Sequence, residues 1–126
     1  MAEKIKLVQG DTRPQLVLSL QDSTTGAPID ISSATTRLKF RALGSTTILA
    51  TMTASPIPGY VTEDGSISFA GPYANSGAGG RAVVNWTADA LNNEAGDYEG
   101  EIEITFADTT VQTVYDTLKF KLRSQF

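Results

Sequence analysis

The sequence predicts an all-β protein, a single immunoglobulin-like antiparallel sandwich of about seven or eight strands spanning residues 1–126. Three observations predict it. Apolar residues alternate with polar ones at period two along most of the chain, and helical periodicity is nearly absent. Gly, Pro, Asn and Asp clusters break the alternation at short intervals, as turns between short strands do. The length of 126 residues suits one domain with one core, and the absence of cysteine leaves packing alone to hold it.

Each element follows from its alternation. Residues 4–9 read as a first strand, with Ile5 and Leu7 on one face. Residues 14–21 form a second, with Leu16, Leu18 and Leu20 inward. Thr-Thr-Gly and Pro within residues 22–28 mark a hairpin tip. Residues 34–42 form a third strand, with Leu38, Phe40 and Ala42 inward and Arg37, Lys39 and Arg41 outward. Residues 47–53 read as a fourth. Residues 81–87 return to the core with Ala82, Val84 and Trp86 on one face, and residues 87–91 are read as one helical turn with Thr87 at its N-cap. Residues 97–106 are the clearest strand: Tyr98, Ile102, Ile104 and Phe106 alternate with Glu99, Glu101, Glu103 and Thr105. A turn at residues 107–110 leads into a last strand, 111–123, with Leu118, Phe120 and Leu122 inward. Asp116 shares their parity, so a β-bulge near Tyr115 is expected to keep the carboxylate out of the core.

Two constellations refine the architecture. Gly96-Asp97-Tyr98 ahead of the strongest strand fits a tyrosine corner, in which the phenol bonds back to upstream backbone. The outward charges of three strands are all of one sign per strand: basic on residues 37–41, acidic on 99–103, basic on 119–123. Sandwich topology places the acidic strand between the other two, which predicts a basic–acidic–basic ladder on one sheet face. Trp86, Tyr98, Phe106 and Phe120 are the expected aromatic core.

The segment from 54 to 80 differs in composition. It holds three prolines and six glycines, and only residues 66–70 read as a short strand. It is expected to be an adaptable excursion between core strands that is dispensable for folding, with Gly77-Ala78-Gly79-Gly80 as a flexible or tight-turning tip. A fold-back of Phe69 and Tyr73 over the sandwich is the competing expectation.

Chemistry is constrained by what is missing. The chain has no histidine and no cysteine, which removes the commonest general base, metal ligand and thiol nucleophile together. Its 14 acidic and 10 basic residues make a poor surface for nucleic acid. No apolar run approaches a membrane span, and no export signal is seen. An oxygen cluster of Asn92, Asn93, Glu94 and Asp97 has ligand types suited to calcium but lacks an EF-hand spacing. No enzyme, no cofactor and no metal is therefore expected, nor a nucleic-acid or membrane partner.

Several segments together resemble a known family. Val8-Gln9-Gly10-Asp11-Thr12-Arg13-Pro14 before an apolar strand, Thr25-Gly26-Ala27-Pro28-Ile29-Asp30-Ile31-Ser32, Ala34-Thr35, Lys39-Phe40-Arg41, residues 96–103 and Gln112-Thr113-Val114-Tyr115-Asp116 resemble the phage baseplate upper protein (BppU) N-terminal domain family. The resemblance covers most of the chain outside residues 54–80. It implies an immunoglobulin-like fold and a structural role in a tailed-phage virion, with other virion proteins of the tail or baseplate as partners and several symmetric copies per particle. It implies synthesis in the host cytoplasm and residence in the virion. Family members often continue into a larger receptor-binding or fibre-anchoring region. With this chain ending at Phe126, an adaptor or accessory module is expected instead. A capsid decoration or cement protein on the phage head is the alternative, and a carbohydrate-binding module using Trp86 with Tyr73 or Tyr60 is a further one. The docking residues expected on physical grounds are Ile57, Tyr60, Val61, Phe69 and Tyr73 in the excursion, and Phe126 at the C-terminus, because aromatic anchors without regular structure around them suit an interface.

Overall fold

The computed structural model describes residues 4–13, 15–22, 24–87, 89–114 and 117–126. The strands are β1 (Ile5–Val8), β2 (Leu16–Ser19), β3 (Thr35–Ala42), β4 (Ala50–Pro56), β5 (Tyr60–Val61), β6 (Ile67–Ser68), β7 (Arg81–Val84), β8 (Gly96–Thr105), β9 (Val111–Thr113) and β10 (Leu118–Arg123). The all-β sandwich that the alternation predicts is present. One curled sheet runs β1-β10-β8-β3-β4-β7-β2, β9 pairs with β8, and β5 with β6 forms a separate hairpin. β1 lies parallel to β10, while the other pairings are antiparallel.

The curl is made by β4. Its first five residues pair with β3, from Phe40↔Ala50 to Thr36↔Ala54, and its last two pair with β7 as Ser55↔Val83 and Pro56↔Ala82. A strand that changes partner partway carries the chain from one layer to the other, a common way to turn a sandwich corner. The expected fourth strand at 47–53 is displaced by three residues for this reason. Ile48 and Leu49 stand in the connection instead, both largely exposed.

Between the layers lie the inward residues of β2, β3, β7, β8 and β10, with Leu7, Ile31 and Leu91. Phe40 is at the aromatic centre. Its ring stacks on Tyr98 at 5.1 Å and meets Trp86 and Phe120 edge-on at 5.3 and 5.4 Å. Trp86, Tyr98 and Phe120 are buried as expected, whereas Phe106 packs only partly buried at the margin of the core. The tyrosine corner is also present: the Tyr98 hydroxyl donates to the Glu94 carbonyl, and burial, then the Glu94 charge, push the phenol pKa upward. Where one helical turn is expected over 87–91, Ala90 N donates to Thr87 O and Asn92 N to Asp89 O, and Ala88 lies outside the described residues. Ala90 and Leu91 are drawn into the core.

The last strand is interrupted. β9 pairs with β8 as Glu103↔Thr113, and β10 resumes as Gly100↔Leu118. Over this stretch the last strand advances from 113 to 118 while β8 covers only 103 to 100, so it holds two extra residues. The single-residue bulge is expected within this same stretch. Tyr115 and Asp116, where that bulge was placed, lie outside the described residues.

The segment 54–80 is not a loose excursion. Residues 54–56 belong to β4, residues 60–68 form the β5–β6 hairpin, and Gly71–Ala74 makes one 3-10 turn. The glycine run after it is bonded to the core from both sides. Ile31 N donates to Gly77 O at 2.9 Å, Gly77 N to Ile57 O at 3.0 Å, and Leu20 N to Gly80 O at 2.8 Å. Of the two expectations for this tip, the tight turn is the one present, closed by Gly80 N donating to Gly77 O at 3.1 Å, and the missing side chains let backbones of three segments lie directly against one another.

Candidate functional site: two interaction surfaces

The first surface is the outer face of the sheet β1-β10-β8-β3. Period-two alternation puts the charged residues of β3, β8 and β10 on this face, and the registers align them as Arg37↔Glu103, Lys39↔Glu101, Arg41↔Glu99 and Lys119↔Glu99. The acidic strand lies between the two basic ones, as the ladder requires. Lys39 pairs with Glu103 at 2.9 Å, a diagonal contact rather than the direct cross-strand one. Glu99 is the centre of the ladder. One carboxylate oxygen takes Arg41 Nε at 2.8 Å and the other takes Lys119 Nζ at 3.1 Å, while Lys119 also donates to Thr117 Oγ1. With only 7% of its surface exposed, Glu99 is more enclosed than a face residue usually is. The Lys119 hydrogen bond, outweighing burial and joined by Arg41, holds its carboxyl below the ordinary carboxylate value. Farther along, Lys4 binds Asp97 at 2.8 Å, and Lys6 stands directly beside Lys121.

Four carboxylates share this depressed titration. Asp64, bonded by Ser66 and Thr62, falls from 3.8 to about 2; Asp97 is lowered by Lys4, Glu99 by Lys119 and Arg41, and Asp108 by Thr110. A folded-state pKa below the unfolded one contributes stability above the unfolded value that is lost as pH falls through the folded one. The melting temperature is thus expected to hold between roughly pH 7 and 5 and to fall between roughly pH 4 and 2. The fall should be shallower in Glu99→Gln. A melting temperature flat through the acid range would show that these contacts do not form in solution.

The second surface is the β5–β6 hairpin and the segment that returns from it. Asp64 knits the hairpin turn: one of its oxygens accepts from the Thr62 hydroxyl, from Ser66 N at 3.0 Å and from Ser66 Oγ at 2.6 Å. Behind the turn the Tyr60 and Tyr73 rings stack at 4.8 Å. Val61 pairs with Ile67 across the hairpin. Gly59 lies beneath: a methyl there would meet Ile67 Cγ2 at 2.6 Å, Arg81 Nη1 at 3.0 Å and Phe69 Cε1 at 3.2 Å. The Arg81 guanidinium donates to Pro58 O at 2.7 Å, closing the base of the patch. Phe69 and Ile67 project outward, 57% and 42% exposed.

Of the expected docking residues, the structure brings Tyr60, Val61, Phe69 and Tyr73 into this hairpin region, with Ile57 half-buried at its entry. Phe126 stands apart at the C-terminus, fully exposed, with the Arg123 guanidinium 4.9 Å above its ring. Ile67 and the supporting Gly59 and Arg81 were not singled out from the sequence. The alternation around Ile67 gives no sign that its face meets Gly59, eight residues away in the chain. Leu43, Ile48 and Leu49 form a further exposed apolar group after β3. Trp86 is enclosed among Phe40 and Phe120 and offers no platform to a sugar. Asp97 is taken by Lys4, so one member of the oxygen cluster is already engaged, while Asn93 donates its amide nitrogen to Ala90 O. Among the described residues no group of three acidic side chains lies close enough to hold a metal ion.

Compared with known protein-family models, curated proteins and solved structures, the chain matches none.

Proposed function

We propose that this chain is a non-enzymatic structural module of a tailed-phage virion, docking on a tail or baseplate protein through the β5–β6 hairpin. The observation that carries the reading is the pair Ile67 and Phe69, apolar and exposed, on a hairpin whose base is fixed by Gly59, Arg81 and the Tyr60–Tyr73 stack. Apolar side chains held rigidly at the surface lose little freedom on binding, which favours their use as anchors. The class of partner is taken from the resemblance of several segments to the baseplate family. The same hairpin would serve a capsid decoration protein, and the location of the protein separates the two.

Mass spectrometry of separated heads and tails is expected to find the protein with tails. The double variant Ile67→Asp/Phe69→Asp is expected to keep its melting temperature within a few degrees, since surface changes stay near ±0.5 kcal/mol, and to vanish from particles. Recovery with heads would move the assignment to the capsid. Incorporation of the variant at wild-type occupancy would exclude the hairpin as the docking element.

A further inference from the structure

The chain as a whole is acidic, yet its charges are sorted. The outer face of β1-β10-β8-β3 carries, besides the six cations of β3 and β10, Lys4 and Lys6 from the β1 end. Eight of the ten basic residues thus share one face with four acidic ones, Asp97, Glu99, Glu101 and Glu103, a formal +4. The remaining two basic and ten acidic residues give −8 elsewhere. The described acidic residues among those ten all lie in connections between strands. No Lys or Arg occurs from residue 14 to 36 or from 42 to 80, so the 21–28 turn and the β5–β6 hairpin form a cation-free end bearing Asp22, Glu63 and Asp64. These two segments face each other across a polar groove lined by Gln21, Thr25, Tyr60 and Glu63.

The basic face is also imperfectly neutralised from within. Lys6 and Lys121 are direct cross-strand neighbours, an arrangement of like charges that opposes folding. With Arg123 they line a groove of about 300 Å³ along β1, floored by Leu7 and Val8. None of these three cations makes an ion pair among the described residues. The carboxylates of β8 run down the middle of the face, which disfavours a continuous polyanion such as nucleic acid. Discrete carboxylates on protein turns suit it better.

We infer that the basic face, centred on Lys6, Lys121 and Arg123, docks onto the acidic end formed by the 21–28 turn and the β5–β6 hairpin of a second copy of this chain. The two surfaces differ and lie on different parts of one molecule, so the contact is head-to-tail and adds copies into a ring or a row. The virion reading uses the exposed Ile67 and Phe69 of the same hairpin against another protein, whereas this contact uses its charge, so each can fail without the other.

The test uses the purified protein. Sedimentation velocity at about 0.1 mM protein should show association at about 20 mM salt that disappears at about 500 mM, where screening shortens the reach of charge to a few ångström. Lys6→Glu/Lys121→Glu and Gln21→Lys/Glu63→Lys should each weaken association at low salt by about 10-fold or more. Mixing the two variants should restore it, because each altered face then meets its complement. Restoration by mixing also demonstrates that both variants are folded. A wild type that is monomeric at low salt overturns the inference, and so does association that ignores both charge reversals. A monomeric wild type that binds poly-glutamate or a DNA duplex at low salt overturns it as well, in favour of that ligand.

Discussion

Phe40→Ala is expected to destabilise the protein by about 3–5 kcal/mol, the range for deleting a buried aromatic ring. Phe40 has 0% of its surface exposed and is the one ring in contact with all three others of the core cluster. Its removal forfeits an apolar area and leaves a cavity between three large rings, of which Trp86 and Phe120 also pack edge-on against each other. Aromatic pairs add about 0.5–1.5 kcal/mol each beyond burial, so the upper part of the range is expected. For a domain of this size the melting temperature should drop by roughly 10–20 °C. Because Trp86 packs edge-on to Phe40, its fluorescence reports on the same site. A loss below about 1 kcal/mol, with Trp86 emission unchanged, would show that these rings do not share a core.

Gly80→Ala should be comparably damaging for a different reason. Gly80 has φ +79°, a conformation in which a side chain costs about 1–2 kcal/mol. A methyl group there would also fall inside contact distance of the Leu20 carbonyl oxygen and lie 3.1 Å from that of Ile29. Both are backbone atoms, so relief requires moving the chain that accepts and donates the Leu20–Gly80 hydrogen bond. Overpacking of this kind costs about 1–3 kcal/mol more, giving a total of about 2–5 kcal/mol in urea unfolding. Gly44→Ala is the control. Gly44 has φ +81° but open space where the methyl would go, so only the conformational part is expected. Equal losses at the two positions would show that the close backbone approach at Gly80 contributes nothing.

The Gly80 argument changes what is expected of the 54–80 segment as a whole. Replacing residues 56–79 by a short linker would remove the bonds from Gly77 to Ile31 and from Ile57 to Arg81, both of which tie core segments together. The hairpin function is better tested by single exposed side chains than by deletion.

Much of the fold was legible because side-chain alternation is a local property. Leu16, Leu18, Leu38, Phe40, Ala82, Val84, Trp86, Ile102, Phe120 and Leu122 are all buried on the faces that period two assigns them. The corner at Tyr98 was legible from a Gly-Asp-Tyr step ahead of a strand, and the charge ladder from one sign per strand. Alternation tells which face a residue occupies, and it is silent on which backbone runs beside which. The tertiary structure alone decided that β4 would leave β3 for β7 after Ala54, because that exchange rests on pairing with residues nearly thirty positions later. It likewise decided that Gly77, Gly79 and Gly80 would be close-packed against other backbone, since a glycine in sequence looks the same whether its missing side chain faces solvent or another chain segment. Glu99 follows the same rule: its sequence neighbours make it one of three equivalent outward acids, and only the convergence of Arg41 and Lys119 from the two flanking strands encloses it.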